Sequence, residues 1–208
     1  MIGILNYGLG NVTAFSNIYK KLDTPNKIIS SAADFKDVKK LILPGVGAFD
    51  HAMKLYNDSG FRDTVDNLVL SHKMPVLGVC VGMQMMANSS EEGSEQGLDW
   101  IDSRVIRFYE NDESKEAIDI PHMGWNDVRP AKNSSLFPPS EDTQRFYFLH
   151  SYYFVPSNLD NQIGKTEYGI EFCSAVMKEN IFGVQFHPEK SHSYGIDLLK
   201  RFSLIEQC

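Results

Sequence analysis

The sequence has few cysteines, no excess of positive charge and no long apolar run. Cys80, Cys173 and Cys208 are the only cysteines in 208 residues. They are widely spaced and odd in number, a pattern that fits neither a disulfide framework nor a zinc site. We therefore expect free thiols in a reducing compartment.

Acidic residues outnumber basic ones. There are 27 aspartates and glutamates against 20 lysines and arginines, which gives a formal net charge of −7. A nucleic-acid partner needs a basic face to neutralise phosphates, so none is expected. Residues 1–5 lack the basic stretch of a signal peptide, and no window reaches the roughly 18 apolar residues that a membrane helix requires. These absences predict a cytoplasmic protein without a membrane partner.

The composition is that of an ordinary globular domain, with 42% hydrophobic residues, and a chain of this length can bury its own core. We expect a single domain over residues 1–208. In the first half, β-rich runs alternate with helical periodicity, beginning with a strand at residues 1–5 and a helix that presents Val12, Phe15 and Ile18 on one face. This alternation predicts an α/β fold with a mostly parallel central sheet flanked by helices.

Several further elements are predicted. Strands of the parallel part are expected at residues 27–29, 41–43 and 75–79. A helix with Phe61, Val65, Leu68 and Val69 on one face precedes the last of them. Beyond about residue 104 the helical signal fades, and strand-like runs predict an antiparallel extension at residues 145–155, 163–168, 173–177 and 181–185. A closing helix carries Leu198, Leu199, Phe202 and Ile205 and begins near Ser191 or Ser193. Surface loops are expected at residues 88–96 and 110–116.

The most informative segment, residues 76–84, is an apolar strand that leads into a cysteine flanked by glycines. This pattern is typical of a nucleophile elbow with Cys80 as the nucleophile. Gly78 and Gly82 leave room for the sharp turn, and the N-terminus of the following helix favours the thiolate. The alternative is a buried structural cysteine, which is common among free thiols.

A cysteine nucleophile needs a base and a third group that orients the base. His187 and Glu189 lie two residues apart at the end of a predicted strand, so their side chains can project to the same side, and Pro188 favours an extended backbone at His187. These residues predict a Cys–His–Glu triad. The alternatives are a surface His–Glu pair and a metal site with His192. No further ligands occur at a recognisable spacing, which argues against the metal.

Glycines follow two other predicted strands. Residues 44–47, Pro-Gly-Val-Gly, come after the strand at 41–43, where open α/β sheets bind ligands. Their N–H groups can face a developing oxyanion, although an ordinary turn would have the same sequence pattern. Residues 7–13 match part of a dinucleotide fingerprint, but Thr13 replaces the third glycine and no acidic residue ends the second strand. Nucleotide binding is therefore not expected.

The motifs around Cys80 and His187 resemble those of the class I, or triad, glutamine amidotransferases. The resemblance covers essentially the whole chain. It includes five further segments in order, at residues 6–11, 43–49, 90–93, 121–126 and 188–191. The departures are small: Val81 stands where leucine is frequent, and the tail at residues 192–195 is unusual.

The resemblance implies hydrolysis of the side-chain amide of glutamine through a glutamyl thioester on Cys80. His187 then serves as general base and acid, and Glu189 orients it. The backbone N–H groups of Val81 and Val46 are implied to meet the oxyanion. The positions that match the family's glutamine-binding residues are Gly45, Gly47, Gln84, Glu92, Ser151 and Tyr152. Ser151 and Tyr152 lie in an aromatic strand, and a strand that only packs against the core would have the same sequence pattern.

The resemblance also implies a partner. Within the family, the likeness is to glutaminase subunits that form a heterodimer with a cyclase subunit built as a (β/α)8 barrel, and that pass ammonia to it. Asn11, Trp125, Tyr147 and Lys190 are implied to face this partner around the mouth of an ammonia channel. A solvated Lys190 and a buried Trp125 are the alternatives. No cofactor and no metal are implied.

Three functions remain open at this point. The first is supply of ammonia for histidine biosynthesis. The second is a paralogous glutaminase that supplies ammonia to a similar barrel partner for amidination of a surface-polysaccharide sugar. The third is a non-catalytic subunit in which Cys80 is only a packed thiol, and the presence of Cys80, His187 and Glu189 together argues against it.

Overall fold

The computed structural model describes residues 1–109, 118–131, 134–137 and 143–206. The loop expected at residues 110–116 and Cys208 lie outside these residues. In chain order the strands are β1 (Ile2–Leu5), β2 (Asn26–Ile29), β3 (Lys40–Gly45), β4 (Val76–Cys80), β5 (Ser89–Ser90), β6 (Ser103–Arg107), β7 (His122–Pro130), β8 (Gln144–His150), β9 (Tyr152–Pro156), β10 (Gln162–Tyr168), β11 (Ile170–Lys178) and β12 (Ile181–Val184).

The α-helices of the described residues are α1 (Val12–Lys21), α2 (Phe49–Asp58), α3 (Arg62–Asp66), α4 (Val81–Gln84) and α5 (His192–Leu204). Helix α3 continues into a π-helical turn at Asn67–Ser71. Short 3₁₀ turns lie at Ala32–Phe35, Leu159–Asn161 and Pro188–Lys190.

The strands form one mixed sheet. β2, β1, β3, β4 and β12 lie side by side in this order and run parallel. β11, β10, β7 and β8 continue the sheet with antiparallel pairing. β9 pairs with β11 and β6, and β6 pairs with β5. The predicted α/β fold, with a parallel centre and an antiparallel extension, is confirmed.

The parallel strands form the core. Every residue of β1, β4 and β12 is buried, because these uninterrupted apolar runs are covered on both faces, as parallel sheets are. Helix α1 adds the buried side chains of Phe15 and Tyr19, and α5 adds those of Leu199 and Phe202. The Tyr19 hydroxyl donates to the Leu199 carbonyl at 3.3 Å, which joins these two helices. Among the described helices, none has the length and apolar character to cross a bilayer.

The sequence-based boundaries are wrong in two places. The strand predicted at residues 145–155 is two strands, because the chain bends at Ser151 and changes partner from β7 to β6 and β11. The helix predicted through Leu68 and Val69 leaves the α-helical form after Asp66. Four elements were not predicted: α2, β5, β6 and β7, of which β5 lies within the loop expected at residues 88–96. Strand β7 contains glycine, asparagine and aspartate, which depress strand propensity. Its burial alternates residue by residue, but the apolar Met123 and Trp125 lie on the exposed face, so the sequence shows no matching hydrophobic pattern.

Three adjacent parallel strands position the site. β4 lies between β3 and β12, and Gly45 at the end of β3 is in register with Cys80 at the end of β4. Val184, the last residue of β12, is in register with Val79, so the chain reaches His187 on the same edge. This carboxyl edge is where open α/β sheets bind ligands.

Candidate active site

Cys80 ends strand β4 in a backbone conformation that side chains rarely adopt. Its φ is +55° and its ψ is −113°, and helix α4 begins at the next residue, Val81. The Cys80 side chain is buried. A strained residue at a strand-to-helix turn is typical of a nucleophile elbow and persists only where the surrounding structure enforces it.

Three glycines enforce this turn by close backbone approach. A Cβ atom at Gly82 would lie 2.0 Å from the carbonyl oxygen of Leu43, and one at Gly78 would lie 2.6 Å from the carbonyl oxygen of Gly82. At Gly45 a Cβ atom would lie 2.3 Å from the backbone nitrogen of Gly82. Any side chain at these positions would therefore push β3 and β4 away from the elbow.

A buried hydrogen bond joins His187 to Glu189. Nδ1 of His187 lies 2.9 Å from Oε1 of Glu189, and both side chains are 3% exposed. The proximity does not come from strand alternation: β12 ends at Val184, and the 3₁₀ turn Pro188–Lys190 brings Glu189 back to His187. The second carboxylate oxygen of Glu189 is buried and has no hydrogen-bond partner among the described residues.

The surroundings of His187 favour its protonated form. Burial alone lowers the pKa of His187, but the Cys80 sulfur and the Glu189 carboxylate outweigh burial and raise that pKa above its usual value. Because Glu189 accepts a hydrogen bond from Nδ1–H of His187, Nε2 of His187 remains available to interact with the Cys80 sulfur. The geometry therefore suits a thiolate beside an imidazolium, the form in which cysteine acts as a nucleophile.

Ser191 fixes the backbone of His187 to strand β8. Its hydroxyl donates to the His187 carbonyl at 2.6 Å and accepts from the Tyr147 N–H at 3.0 Å. The Tyr147 carbonyl in turn accepts the N–H of His187 at 2.8 Å. The imidazole is thus positioned by β8 as well as by its own turn.

A cleft of about 280 Å³ opens over Cys80 and His187. It brings together the loop after β3, the elbow, the bend between β8 and β9, and the turn after β12. Its wall includes seven of the residues singled out for the oxyanion or for glutamine, which are Val46, Gly47, Val81, Gln84, Glu92, Ser151 and Tyr152. The eighth, Gly45, packs beneath the cleft against Gly82.

Glu92 and Gln84 each bind other parts of the protein. Oε2 of Glu92 accepts the Phe49 N–H at 2.8 Å, at the start of α2, and burial raises the pKa of its carboxyl. Nε2 of Gln84 donates to the Tyr152 carbonyl at 3.0 Å and to Oε1 of Gln185 at 3.1 Å. These bonds hold both side chains in the cleft wall.

The loop after β3 is anchored at one end and open at the other. The Tyr7 hydroxyl donates to the Pro44 carbonyl at 2.5 Å, and a Cβ atom at Gly10 would lie 2.6 Å from the Pro44 side chain. Three residues after Pro44, Gly47 has a φ of +85°, and the side chain of Val46 is exposed. The conformation of this loop therefore depends on glycine.

Three of the four residues implied to face a partner lie together. The ring of Trp125 lies 6.3 Å from that of Tyr147, and Nζ of Lys190 lies 5.7 Å from the centre of the Tyr147 ring. Trp125 is 39% exposed, so it is not a core residue, and His192 stacks on it. Asn11 caps helix α1 with its side chain.

Sequence reasoning missed two groups beside the Cys80 sulfur. Nε2 of Gln185 lies 3.9 Å from it, and the Leu149 carbonyl oxygen lies 3.8 Å from it. Gln185 had a signal, since it is a polar residue within the otherwise apolar run 181–186 and is completely buried. The Leu149 carbonyl had none, because a backbone group leaves no trace in the sequence.

Comparison with known families defines the class. Residues 5–205 match the family model described as glutamine amidotransferase class-I. The match spans nearly the whole chain, so the chain belongs to this family, and the glutaminase class expected from its motifs is confirmed.

Individual relatives carry more specific names than the family model. Imidazole glycerol phosphate synthase subunit HisH of Bdellovibrio bacteriovorus is 53% identical over 205 residues, which cover 99% of this chain and 100% of that protein. The subunit HisH of Leptospira interrogans is 47% identical with the same coverage. Imidazole glycerol phosphate synthase subunit HisH 2 of Pseudomonas aeruginosa is 44% identical over 202 residues, with 97% and 98% covered.

Solved structures share the fold at low identity. A glutamine amidotransferase from Thermotoga maritima superposes with a TM-score of 0.62 at 16% identity, over 90% of this chain and 75% of that one. The glutaminase domain of Trypanosoma brucei CTPS with bound acivicin gives 0.61 at 14% identity, over 97% and 92%. These likenesses concern the fold alone.

Proposed function

We propose that this chain is the glutaminase subunit of an imidazole glycerol phosphate synthase, a single domain over residues 1–208 that works in the cytoplasm. The observation that carries the proposal is the strained Cys80 at a strand end beside a buried His187 bonded to Glu189 at 2.9 Å. The similarity to proteins named HisH over their whole length supports the choice of synthase.

The Cys80 thiolate attacks the side-chain carbonyl carbon of glutamine. The His187 imidazolium, oriented by Glu189, gives its proton to the departing amide nitrogen, and ammonia leaves with formation of a glutamyl thioester. Water then attacks the thioester while His187 takes its proton. Glutamate leaves, and the thiolate and imidazolium are restored.

The oxyanion is stabilised by the backbone N–H of Val81 and by that of Val46. The position of Val81 supports this assignment, since it starts helix α4 directly after the nucleophile. Removal of one such donor costs roughly a hundredfold in rate. The exposed loop at Val46–Gly47 therefore offers a place where a partner can regulate the enzyme by aligning one N–H.

Glutamine is held by Gly47, Gln84, Glu92, Ser151 and Tyr152, whereas Gly45 supports the site from beneath the cleft. The α-amino group of the substrate pairs with Glu92. Burial disfavours the Glu92 carboxylate, as its raised pKa indicates, and a cationic ligand would offset that cost. The site needs no cofactor and no metal, because the nucleophile, acid and base are all side chains of this chain.

The partner is a HisF-type cyclase subunit with a (β/α)8-barrel fold, in a heterodimer. Trp125, Tyr147 and Lys190 form an aromatic and basic cluster beside the cleft, and Asn11 joins them at this interface. Aromatic residues are enriched in the cores of protein interfaces. Ammonia leaves the cleft through this surface to the cyclase.

Glutamate release from glutamine tests the chemistry. Cys80→Ser is expected to abolish release and to stop glutamine-dependent synthesis by the complex, while synthesis from ammonium salts continues. Cys173→Ser is the matched control, since Cys173 is a buried thiol in β11 and burial raises its pKa to about 12. Loss of both nitrogen sources in a folded Cys80→Ser complex would contradict the division of labour.

Complementation tests the acceptor. The gene should restore growth of a histidine auxotroph that lacks its own glutaminase subunit but retains the cyclase. Failure with soluble protein that still hydrolyses glutamine would favour the paralogue that serves a surface-polysaccharide sugar.

A further inference from the structure

Two buried histidines that the proposed reaction does not use lie at the cleft: His150 lines its wall, and His122 is bonded to His150 from behind. His122 of β7 and His150 of β8 are paired across the two strands, and Nδ1 of His122 lies 2.9 Å from Nε2 of His150. The two residues are 2% and 6% exposed. Buried polar groups cost free energy unless each is hydrogen-bonded, so this pair needs an explanation.

The ends of the hydrogen-bonded chain fix its direction. The Tyr152 carbonyl can only accept, and it lies 2.8 Å from Nδ1 of His150, so this nitrogen carries a proton. In a neutral ring, Nε2 of His150 must then accept from Nδ1–H of His122. Nε2 of His122 lies 3.2 Å from the amide nitrogen of Asn126, a donor, which completes the chain.

The surroundings of the pair keep both rings neutral. Phe148 and Tyr168 stack on the His122 ring at 4.6 Å and 4.0 Å, and Phe172 lies against both histidines. Burial lowers the pKa of His122 to about 4, and burial together with His122 lowers that of His150 to about 3. At neutral pH each ring therefore has one donor and one acceptor, and both are used.

The chain ends at the cleft. The Tyr152 carbonyl that accepts from His150 also accepts from Gln84 at 3.0 Å. Gln84 is bonded in turn to Gln185, whose amide nitrogen lies 3.9 Å from the Cys80 sulfur. A continuous set of hydrogen bonds thus runs from Asn126 to the nucleophile and passes through the bend between β8 and β9.

We propose that His122 and His150 are positioning residues that set the affinity of the cleft for glutamine, because they hold the Tyr152 carbonyl where it orders Gln84 and the bend at Ser151. The inference rests on the proposed glutamine site. If His122 and His150 served only to fill space, phenylalanine would do so equally well at either position, since its ring is of similar size. Histidine both accepts from one neighbour and donates to the next, which phenylalanine cannot do.

We call the set of hydrogen bonds from Asn126 to Gln185 the relay. Two electrophiles test it on the full-length protein. 6-Diazo-5-oxo-L-norleucine carries the amino-acid end of glutamine, whereas iodoacetamide reports only on the thiol. His150→Phe should slow labelling of Cys80 by the diazo compound about tenfold, the effect of one lost hydrogen bond with its buried partner, and leave labelling by iodoacetamide unchanged. His122→Phe should act in the same direction.

Two variants separate positioning from packing. His150→Asn places an amide N–H near the Nδ1 position and should recover most of the diazo rate, because it can still donate to the Tyr152 carbonyl. Phe172→Leu disturbs the same ring cluster without touching a hydrogen bond, so it should lower the stability and leave the ratio of the two labelling rates unchanged.

A spectroscopic measurement tests the direction of the chain without any activity. In ¹⁵N-labelled protein at neutral pH, long-range proton–nitrogen spectra should show both rings as the Nδ1–H tautomer, the less common form of free imidazole. A charged ring or an Nε2–H tautomer at either position would overturn the relay.

The outcomes distinguish the relay from the function beneath it. If the diazo compound does not label wild-type Cys80 selectively, the proposed glutaminase site is wrong, and the proposed role of the relay is overturned together with it. If wild type is labelled but His150→Phe reacts equally fast, or loses both electrophile rates together, the relay alone is overturned.

Discussion

The charge on His187 depends on two neighbours that act differently. Glu189 is a lasting partner, since its carboxylate is buried with the ring and accepts the Nδ1 proton at 2.9 Å. In the proposed reaction the Cys80 sulfur is charged only part of the time, because acylation removes its charge. Between these states the pKa of His187 falls, which is what a residue that must first hold a proton and then release it requires.

Removal of the Glu189 charge should therefore impair the reaction while the geometry remains. Glu189→Gln keeps an oxygen that can accept from Nδ1, but the pKa of His187 is expected to fall without the carboxylate. We expect kcat for glutamine hydrolysis to drop by about a hundredfold and alkylation of Cys80 by iodoacetamide at neutral pH to slow. Glutamate release and the pH profile of alkylation measure the two effects.

The matched control is an exposed glutamate. Glu179 forms an ion pair with Lys73 at 2.8 Å on the surface, and such pairs contribute little. Glu179→Gln should leave both rates as in wild type. Wild-type alkylation and hydrolysis in Glu189→Gln would mean that orientation without charge is sufficient.

At the scale of elements, the elbow is a contact between β3, β4 and α4 rather than a property of one turn. The carbonyl of Leu43 in β3 approaches Gly82 of α4 so closely that no side chain fits between them. The positive φ of Cys80 is thus maintained by the neighbouring strand.

Gly82→Ala should consequently destabilise the fold. The added Cβ atom would lie 2.0 Å from the Leu43 carbonyl oxygen, and backbone on both sides must shift to relieve this overlap. We expect a loss of more than about 3 kcal/mol in the free energy of unfolding, measured by urea denaturation.

Gly60→Ala is the control for backbone strain alone. Gly60 has a φ of +75° and open space where the Cβ atom would lie. Its cost should be about 1 kcal/mol. Equal losses in the two variants would show that close approach at the elbow is not important for stability.

The elements also show where sequence patterns stop being informative. The apolar runs of β1, β3, β4 and β12 predict buried parallel strands because each run must be covered on both faces. The aromatic run after Arg145 predicts strand but does not reveal that the chain changes partner at Ser151. Propensity is local, whereas the choice of neighbour depends on residues distant in sequence.

The whole molecule consists of a parallel centre that carries the proposed nucleophile Cys80 and an antiparallel extension that carries the bend between β8 and β9, where we propose that glutamine binds. The extension buries its polar residues in pairs, such as Thr166 with Ser174 and His122 with His150. Each pair is satisfied only when all its strands are in place. Because His122 and His150 are titratable and buried, the stability of this half of the sheet is expected to depend on pH.

The sign follows from the lowered pKa values of His122, about 4, and His150, about 3, against the usual 6.5. Below about pH 6.5 the unfolded chain binds protons that the folded chain does not, so the free energy of unfolding should decrease from there to about pH 3. Urea denaturation across this range measures it. His150→Phe should flatten the slope, whereas exchange of the exposed His51 for Gln should not.

The sequence by itself determined the class of fold and indicated the proposed nucleophile and its base, because these depend on apolar runs and on short spacings along the chain. The tertiary structure alone decided which distant groups meet: Gly45 against Gly82, Gln185 beside Cys80, and His122 with His150. Such contacts arise when strands are paired and brought into register. That pairing minimises the free energy of the whole sheet and leaves no local signal in the sequence.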